Sequence, residues 1–301
     1  MTAISPQRLR VLVLGGAGMF GHKLVQMLAA RGLWVAATIR SASSLNSPAA
    51  RATLGNADRV FDAVDVLQDD QLARTIAAAE PDVVVNAVGI IKQVDAAKDP
   101  IILISTNALL PHRIAAQCAR LGTRLIHFST DCVFSGRNGP YAEDMPADPE
   151  DLYGRSKVLG EPIGPRCLTI RTSIVGRELR VRAGLVEWFL SQRGGSATGY
   201  AKALYSGLTT GTLADLVARL IVDHQELDGL WHVSSDAINK YELLSLVNRH
   251  FRLGIALARD DSLAIDRRLD GSRFRARTGF SAPSWDAMIA EMQADPTPYD
   301  A

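Results

Sequence analysis

The sequence predicts an α/β protein built on a doubly wound parallel sheet, with a smaller C-terminal lobe. Two observations carry this. Short apolar runs rich in β-branched residues alternate with helix-period stretches through the first half of the chain, and a glycine cluster separates the first run from the first helix. Parallel neighbours need crossover connections, so strands that alternate with helices imply a parallel sheet covered on both faces.

The elements follow in order. The run Leu-Arg-Val-Leu-Val-Leu from Leu9 is a strand, and 21–31 is a helix with Leu24, Val25, Leu28 and Ala29 on one face. Further strands are expected at 33–39, 59–64, 82–88, 124–129 and 167–172, and the longest helix at 101–121. Beyond Thr172 the alternation loosens into helices near 184–192, 210–223 and 240–251, a turn at Gly194 and Gly195, a strand at 230–234 and a last helix ending near Met292. The expected division is a dinucleotide-binding domain over 1–173 and a substrate lobe over 174–301, with the helix near 210–223 able to pack back on the first domain. The acidic, proline-bounded stretch 140–149 reads as a surface loop.

Composition narrows the function. The 301 residues are 47% hydrophobic and 22% charged, enough for a sizeable core. Thirty-three basic against 32 acidic side chains leave +1, so no global field gathers nucleic acid or an anionic membrane. Cys118, Cys132 and Cys167 lack the spacing of a zinc site and are odd in number, which argues against a metal centre or a disulfide framework. No apolar run reaches the ~18 residues of a membrane span. A cytoplasmic protein is expected.

Gly15, Gly18 and Gly21 close the first strand and open the first helix. Glycine allows a sharp turn and lets backbone N–H groups approach a pyrophosphate at the positive helix N-terminus. Met19 and Phe20 pack within this loop, and their backbone can touch the cofactor. An NAD site usually carries an acid at the end of the second strand for the ribose 2′-hydroxyl, whereas this chain has Thr38, Ile39, Arg40 and Ser41. Arg40 suits a 2′-phosphate, favouring NADP(H) with NAD(H) as the alternative, or else is an exposed surface residue. Asp65 either accepts from the adenine amino group or caps a helix.

Tyr153 and Lys157 lie four residues apart, on one helix face. They follow the fifth strand, which ends in Ser129 and Thr130, and strand C-termini face the ligand crevice in such sheets. An ammonium beside a phenol is expected to lower its pKa, so Tyr153 can serve as general acid or base while Thr130 holds a carbonyl oxygen.

Several motifs together resemble the extended short-chain dehydrogenase/reductases: the glycine loop, Asn86-Ala87-Val88-Gly89, Ser129-Thr130-Asp131, and Tyr153 with Lys157. More narrowly, the run from Leu125 to Gly136 is similar to the dTDP-4-dehydrorhamnose reductase group. So are Arg171-Thr172-Ser173, Gly229-Leu230-Trp231-His232, Arg268-Leu269-Asp270 and Pro283-Ser284-Trp285. The resemblance covers nearly the whole chain. It implies a Rossmann sheet, the catalytic set Thr130, Tyr153 and Lys157, a nicotinamide ribose held by Lys157, cofactor contacts at Asn86, Ala87 and Val88, and Asn107 near the site. Two departures stand out: the bulkier, more basic stretch Gly89 to Gln93, and Cys132 where tyrosine is common.

The implied reaction reduces the C4 ketone of a nucleotide-linked 4-keto-6-deoxyhexose, in deoxysugar biosynthesis for surface polysaccharide. Lys92, Arg267 and Arg268 are the candidates for its diphosphate, with a scaffold role as the rival at Arg268. A C4 epimerase shares the same Tyr and Lys, and a non-catalytic dinucleotide-binding regulatory subunit is the alternative from another class. A 4,6-dehydratase would need an acid where Cys132 stands. The expected partners are a nucleotide-diphosphate sugar and a second copy in a homodimer, with no nucleic acid and no membrane.

Overall fold

Residues 8–180 and 182–300 are described by a computed structural model. Its first half alternates strand and helix: β1 (Arg10–Leu14), α1 (Gly21–Ala30), β2 (Trp34–Thr38), α2 (Pro48–Leu54), β3 (Arg59–Phe61), α3 (Asp69–Ala79), β4 (Val83–Asn86), α4 (Pro100–Ile104), α5 (Leu110–Leu121), β5 (Arg124–Ser129), α6 (Leu152–Leu159) and β6 (Cys167–Arg171). The second half adds β7 (Ile174–Val175), α7 (Leu185–Leu190), β8 (Ser196–Tyr205), β9 (Leu208–Thr209), α8 (Thr210–Asp223), β10 (Gly229–His232), β11 (Ile238–Asn239), α9 (Lys240–His250), β12 (Ala256–Asp266), α10 (Ser272–Thr278) and α11 (Trp285–Ala294).

The main sheet runs β10-β6-β5-β4-β1-β2-β3, all parallel. Its order reverses between β1 and β4, so a crevice opens at the C-terminal ends of those two strands, where the glycine loop also lies. Both faces are covered. Leu24, Val25 and Leu28 of α1 join Val217 and Ile221 of α8 in one core, while Leu72 and Ile76 of α3 join Leu110 and Ile114 of α5 in the other. Burial on both sides is why the central strands read as unbroken Val, Leu and Ile. The third strand is shorter than expected because Ala63 takes φ +52, a left-handed conformation that breaks extended pairing.

The long helix expected at 101–121 is not continuous. Ser105–Leu109 forms a π turn between α4 and α5. Pro111 explains the break: its ring clashes with the carbonyl four residues back, that of Asn107, and it lacks an N–H to bond there. A Cβ on Gly160 would lie 1.8 Å from the displaced Asn107 oxygen, so only glycine lets α6 end against this turn.

The second half builds a sheet of its own, β11-β8-β12, with β8 and β12 parallel, and a small pair, β7-β9. Other segments past residue 173 return to the large sheet. Strand β10 pairs with β6, and α8 packs on α1, where Arg31 bonds Asp215. Among the described residues, no helix is long and apolar enough to cross a membrane.

Candidate active site

The glycine loop is fixed from β2. Thr38 accepts from Gly15 N through its hydroxyl at 3.0 Å and from Gly16 N through its carbonyl at 2.9 Å. Gly15 sits at φ +82, and a Cβ on Gly21 would lie 2.2 Å from the Gly15 oxygen. Side chains at these positions would fill the space over the helix start. The N–H groups of Met19 and Phe20 donate to no protein acceptor among the described residues, leaving donors at the N-terminus of α1. Phe20 itself is buried edge-on against Phe128, with ring centroids 4.8 Å apart. A crowded cradle with free donors at a helix start fits a pyrophosphate.

Beside this loop, Asn86 ends β4, bonds His127 at 3.1 Å and accepts from Val88 N at 3.1 Å, shaping the turn through Ala87 and Val88. Val88 approaches Gly15 so closely that a Cβ there would meet its methyl at 2.9 Å. Arg40 is exposed just past β2. Asp65 accepts from Leu67 N at 3.0 Å and lies 3.4 Å from the Gln68 side-chain amide, so its carboxylate organises the turn before α3 without bonding the first N–H groups of that helix.

The reactive side chains meet at the end of β5. Thr130 is buried, accepts from Cys132 N at 3.2 Å and donates to Asp131 at 3.1 Å; Asp131 also accepts from Ser173 at 2.9 Å. Helix α6 begins at Asp151, whose carboxylate caps Gly154 N at 2.7 Å. This start sets Tyr153 and Lys157 on the side facing β5. Buried Lys157 donates to the Phe128 carbonyl at 2.7 Å.

The expected lowering of the Tyr153 pKa is not found. Burial pushes the phenol up, with Cys132, Asp131 and Asp151 adding to the rise, and only the Thr130 hydroxyl opposes them by hydrogen bonding. Lys157 carries the opposite consequence of burial, lowered to about 8, with Glu161 opposing. Desolvation is the largest influence on both groups. A neutral phenol is the form a proton donor needs.

Two of the three expected diphosphate residues border this point. Lys92 bonds Asp151 at 2.9 Å with its ammonium 5.6 Å from the Tyr153 ring centre. Arg267 donates to the Phe134 carbonyl at 2.9 Å and reaches the Cys132 sulfur at 3.7 Å. Arg268 differs. Its guanidinium forms a two-pronged pair with Asp266, at 2.8 and 2.5 Å, and its carbonyl accepts from Tyr141 N at 2.8 Å, which favours the scaffold alternative. Cys132 is held as a thiol, raised by burial and by Asp131 to about 11.

Asn107 was expected near the site, whereas Lys240 was not foreseen. Asn107 binds the loop after β4 through both ends of its amide, accepting from Ile90 N and donating to Ile90 O at 2.9 Å each. Lys240, at the start of α9, lies 3.8 Å over the Tyr205 ring, feels the charges of Asp131 and Arg267, and has no carboxylate within 4 Å among the described residues. Nothing in the sequence marked Lys240, because the strands that carry it to the site were not visible.

Residues 9–296 match the family of the RmlD substrate binding domain. A dTDP-4-dehydrorhamnose reductase of Burkholderia thailandensis is 35% identical over 56% of this chain and 50% of its own. The chain spans about half the length of the first curated relatives it matches. A probable dTDP-4,6-dihydroxy-2-methyloxan-3-one 4-ketoreductase of Streptomyces antibioticus is 31% identical over 75% of this chain and 72% of its own. The solved dTDP-4-dehydrorhamnose reductase of Bacillus anthracis, in complex with NADP, superposes with a TM-score of 0.75 at 20% identity, covering 95% of this chain and 98% of that one.

Proposed function

The chain belongs to the family of the RmlD substrate binding domain, and from that premise we propose that it is an NADPH-dependent reductase of the C4 ketone of a nucleotide-linked 4-keto-6-deoxyhexose. The observation that carries this reading is the convergence of Thr130, Tyr153 and Lys157 at the end of β5, beside the glycine cradle at the end of β1.

NADPH bound in that cradle supplies the hydride. Gly15, Gly18 and Gly21 admit its pyrophosphate, the free N–H groups of Met19 and Phe20 bond it, and Arg40 meets the 2′-phosphate. Tyr153 is the proton donor to the ketone oxygen, and its raised pKa keeps the proton in place until an alkoxide develops. Thr130 turns its hydroxyl from Asp131 to that oxygen and polarises the carbonyl. Lys157 supplies positive charge beneath the phenol, and Lys92 and Arg267 bind the diphosphate. Elimination of water, as in a 4,6-dehydratase, would need a carboxylic acid where Cys132 stands, and a thiol is a poor substitute.

The test is oxidation of NADPH, followed by its absorbance, with a panel of nucleotide-linked 4-keto-6-deoxy sugars. Turnover of at least one, with the alcohol at C4 as product, is expected. Interconversion of C4 epimers without net cofactor oxidation would replace this reading with an epimerase.

A further inference from the structure

Arg40 by itself is a poor discriminator. It is exposed, and a single solvated guanidinium gains little from one anion in water. The turn beside it, Ala42–Leu45, is capped by Ser41, which accepts from Ser43 N at 3.2 Å, and it buries Ser44. The Ser44 hydroxyl accepts a 2.7 Å hydrogen bond from Arg180, which reaches it from the far half of the chain.

The segment that carries Arg180 is braced from within. Arg177 pairs with Glu187 at 2.6 Å, both buried, and Glu178 accepts from Gly184 N at 2.6 Å and from Ala183 N at 3.2 Å. At its far end a Cβ on Gly184 would lie 3.8 Å from the Met19 sulfur, inside the glycine loop. The segment thus spans from the pyrophosphate cradle to the turn after β2. Arg180 is exposed and has no carboxylate within 4 Å among the described residues. A guanidinium has five donors in a planar fork, and Ser44 takes one.

We propose that Arg180 is the second guanidinium of the 2′-phosphate site, facing Arg40 across the turn after β2 and making the chain selective for NADP(H) over NAD(H). This rests on the cofactor reading above. A 2′-phosphate is a dianion with three acceptor oxygens, so it can take two guanidiniums, whereas the 2′-hydroxyl of NAD offers one neutral acceptor.

The probe is adenosine 2′,5′-bisphosphate, which carries the discriminating phosphate without the nicotinamide, compared with ADP by titration calorimetry. Wild type should prefer the bisphosphate. Arg180→Ala should lose about tenfold in affinity for it, the scale of one charge-assisted hydrogen bond, and keep its affinity for ADP. Arg180→Lys should recover part of the loss. If Arg40→Ala removes the preference while Arg180→Ala retains it in full, the assignment of Arg180 fails and the NADPH reading stands. Equal weakening of both nucleotides by Arg180→Ala would also overturn the assignment, making the residue a brace. A wild type that does not distinguish the two nucleotides overturns the NADPH reading and this inference with it.

Discussion

The Lys157 ammonium donates 2.7 Å to the carbonyl of Phe128, two residues before Thr130, so the end of β5 and the last turn of α6 are tied at a charged group with almost no access to water. Burial lowers that group to about 8. The ammonium therefore gives up its proton well below the usual lysine range.

The pH dependence of kcat/KM for NADPH reports the free enzyme, so it should fall above about pH 8 as Lys157 deprotonates. Lys157→Arg, with a guanidinium that stays protonated, should carry a flat profile to higher pH at a lower plateau. An alkaline limb unchanged in that variant would assign it to another group.

Tyr153→Phe keeps the ring beside Lys92 but removes the transferable proton. Turnover should drop about 10²-fold or more, the usual scale of general acid catalysis, with NADPH affinity near wild type by calorimetry. Undiminished turnover would remove Tyr153 from the mechanism.

Arg267 and Arg268 are adjacent in sequence but differ in setting. Arg267 reaches Cys132 beside the reactive groups, so Arg267→Ala should raise the KM of the sugar nucleotide more than it lowers kcat. Arg268 is paired with Asp266 near the clasp to Tyr141, so Arg268→Ala should lower the melting temperature and leave KM alone. The reverse pattern would exchange their roles.

The core sheet was legible because its strands are buried on both faces and written in Val, Leu and Ile. Strand β8 was not, since its buried positions are mostly small: Gly199, Ala201, Ala203 and finally Tyr205. Strand β12 contains Arg259, Asp260, Asp261 and Ser262 and exposes most of its length, so its composition reads as a loop. Without those strands Lys240 had no visible route to the site. The proposed catalytic set was legible for a different reason: Thr130, Tyr153 and Lys157 cluster within one βα unit, where spacing is geometry. Contacts such as Arg180 with Ser44 join distant parts of the chain and leave no local pattern.

The last prediction concerns acid. His22, in the first turn of α1, lies 2.8 Å from the Gly18 carbonyl through Nδ1 and 2.9 Å from the Tyr299 hydroxyl through Nε2, and burial lowers it to about 4. Neutral His22 donates to Gly18 and accepts from Tyr299, so the C-terminal segment braces the helix start below the glycine loop. His232 is likewise buried and lowered to about 4, chiefly by burial, with Arg171 adding to it. Both take up a proton more readily when unfolded, where the reference value is 6.5. Stability from this source is complete above about pH 6.5 and is lost as pH falls toward 4, by about 3 kcal/mol for each group. Thermal unfolding from pH 7 to 4 should therefore show a steep loss of stability. His22→Gln, which keeps an amide donor and acceptor but cannot titrate, should begin lower at pH 7 and fall less steeply. A parallel acid limb in that variant would mean that His22 contributes nothing to the loss and that the other buried histidines, His127 and His232, and the carboxylates account for it.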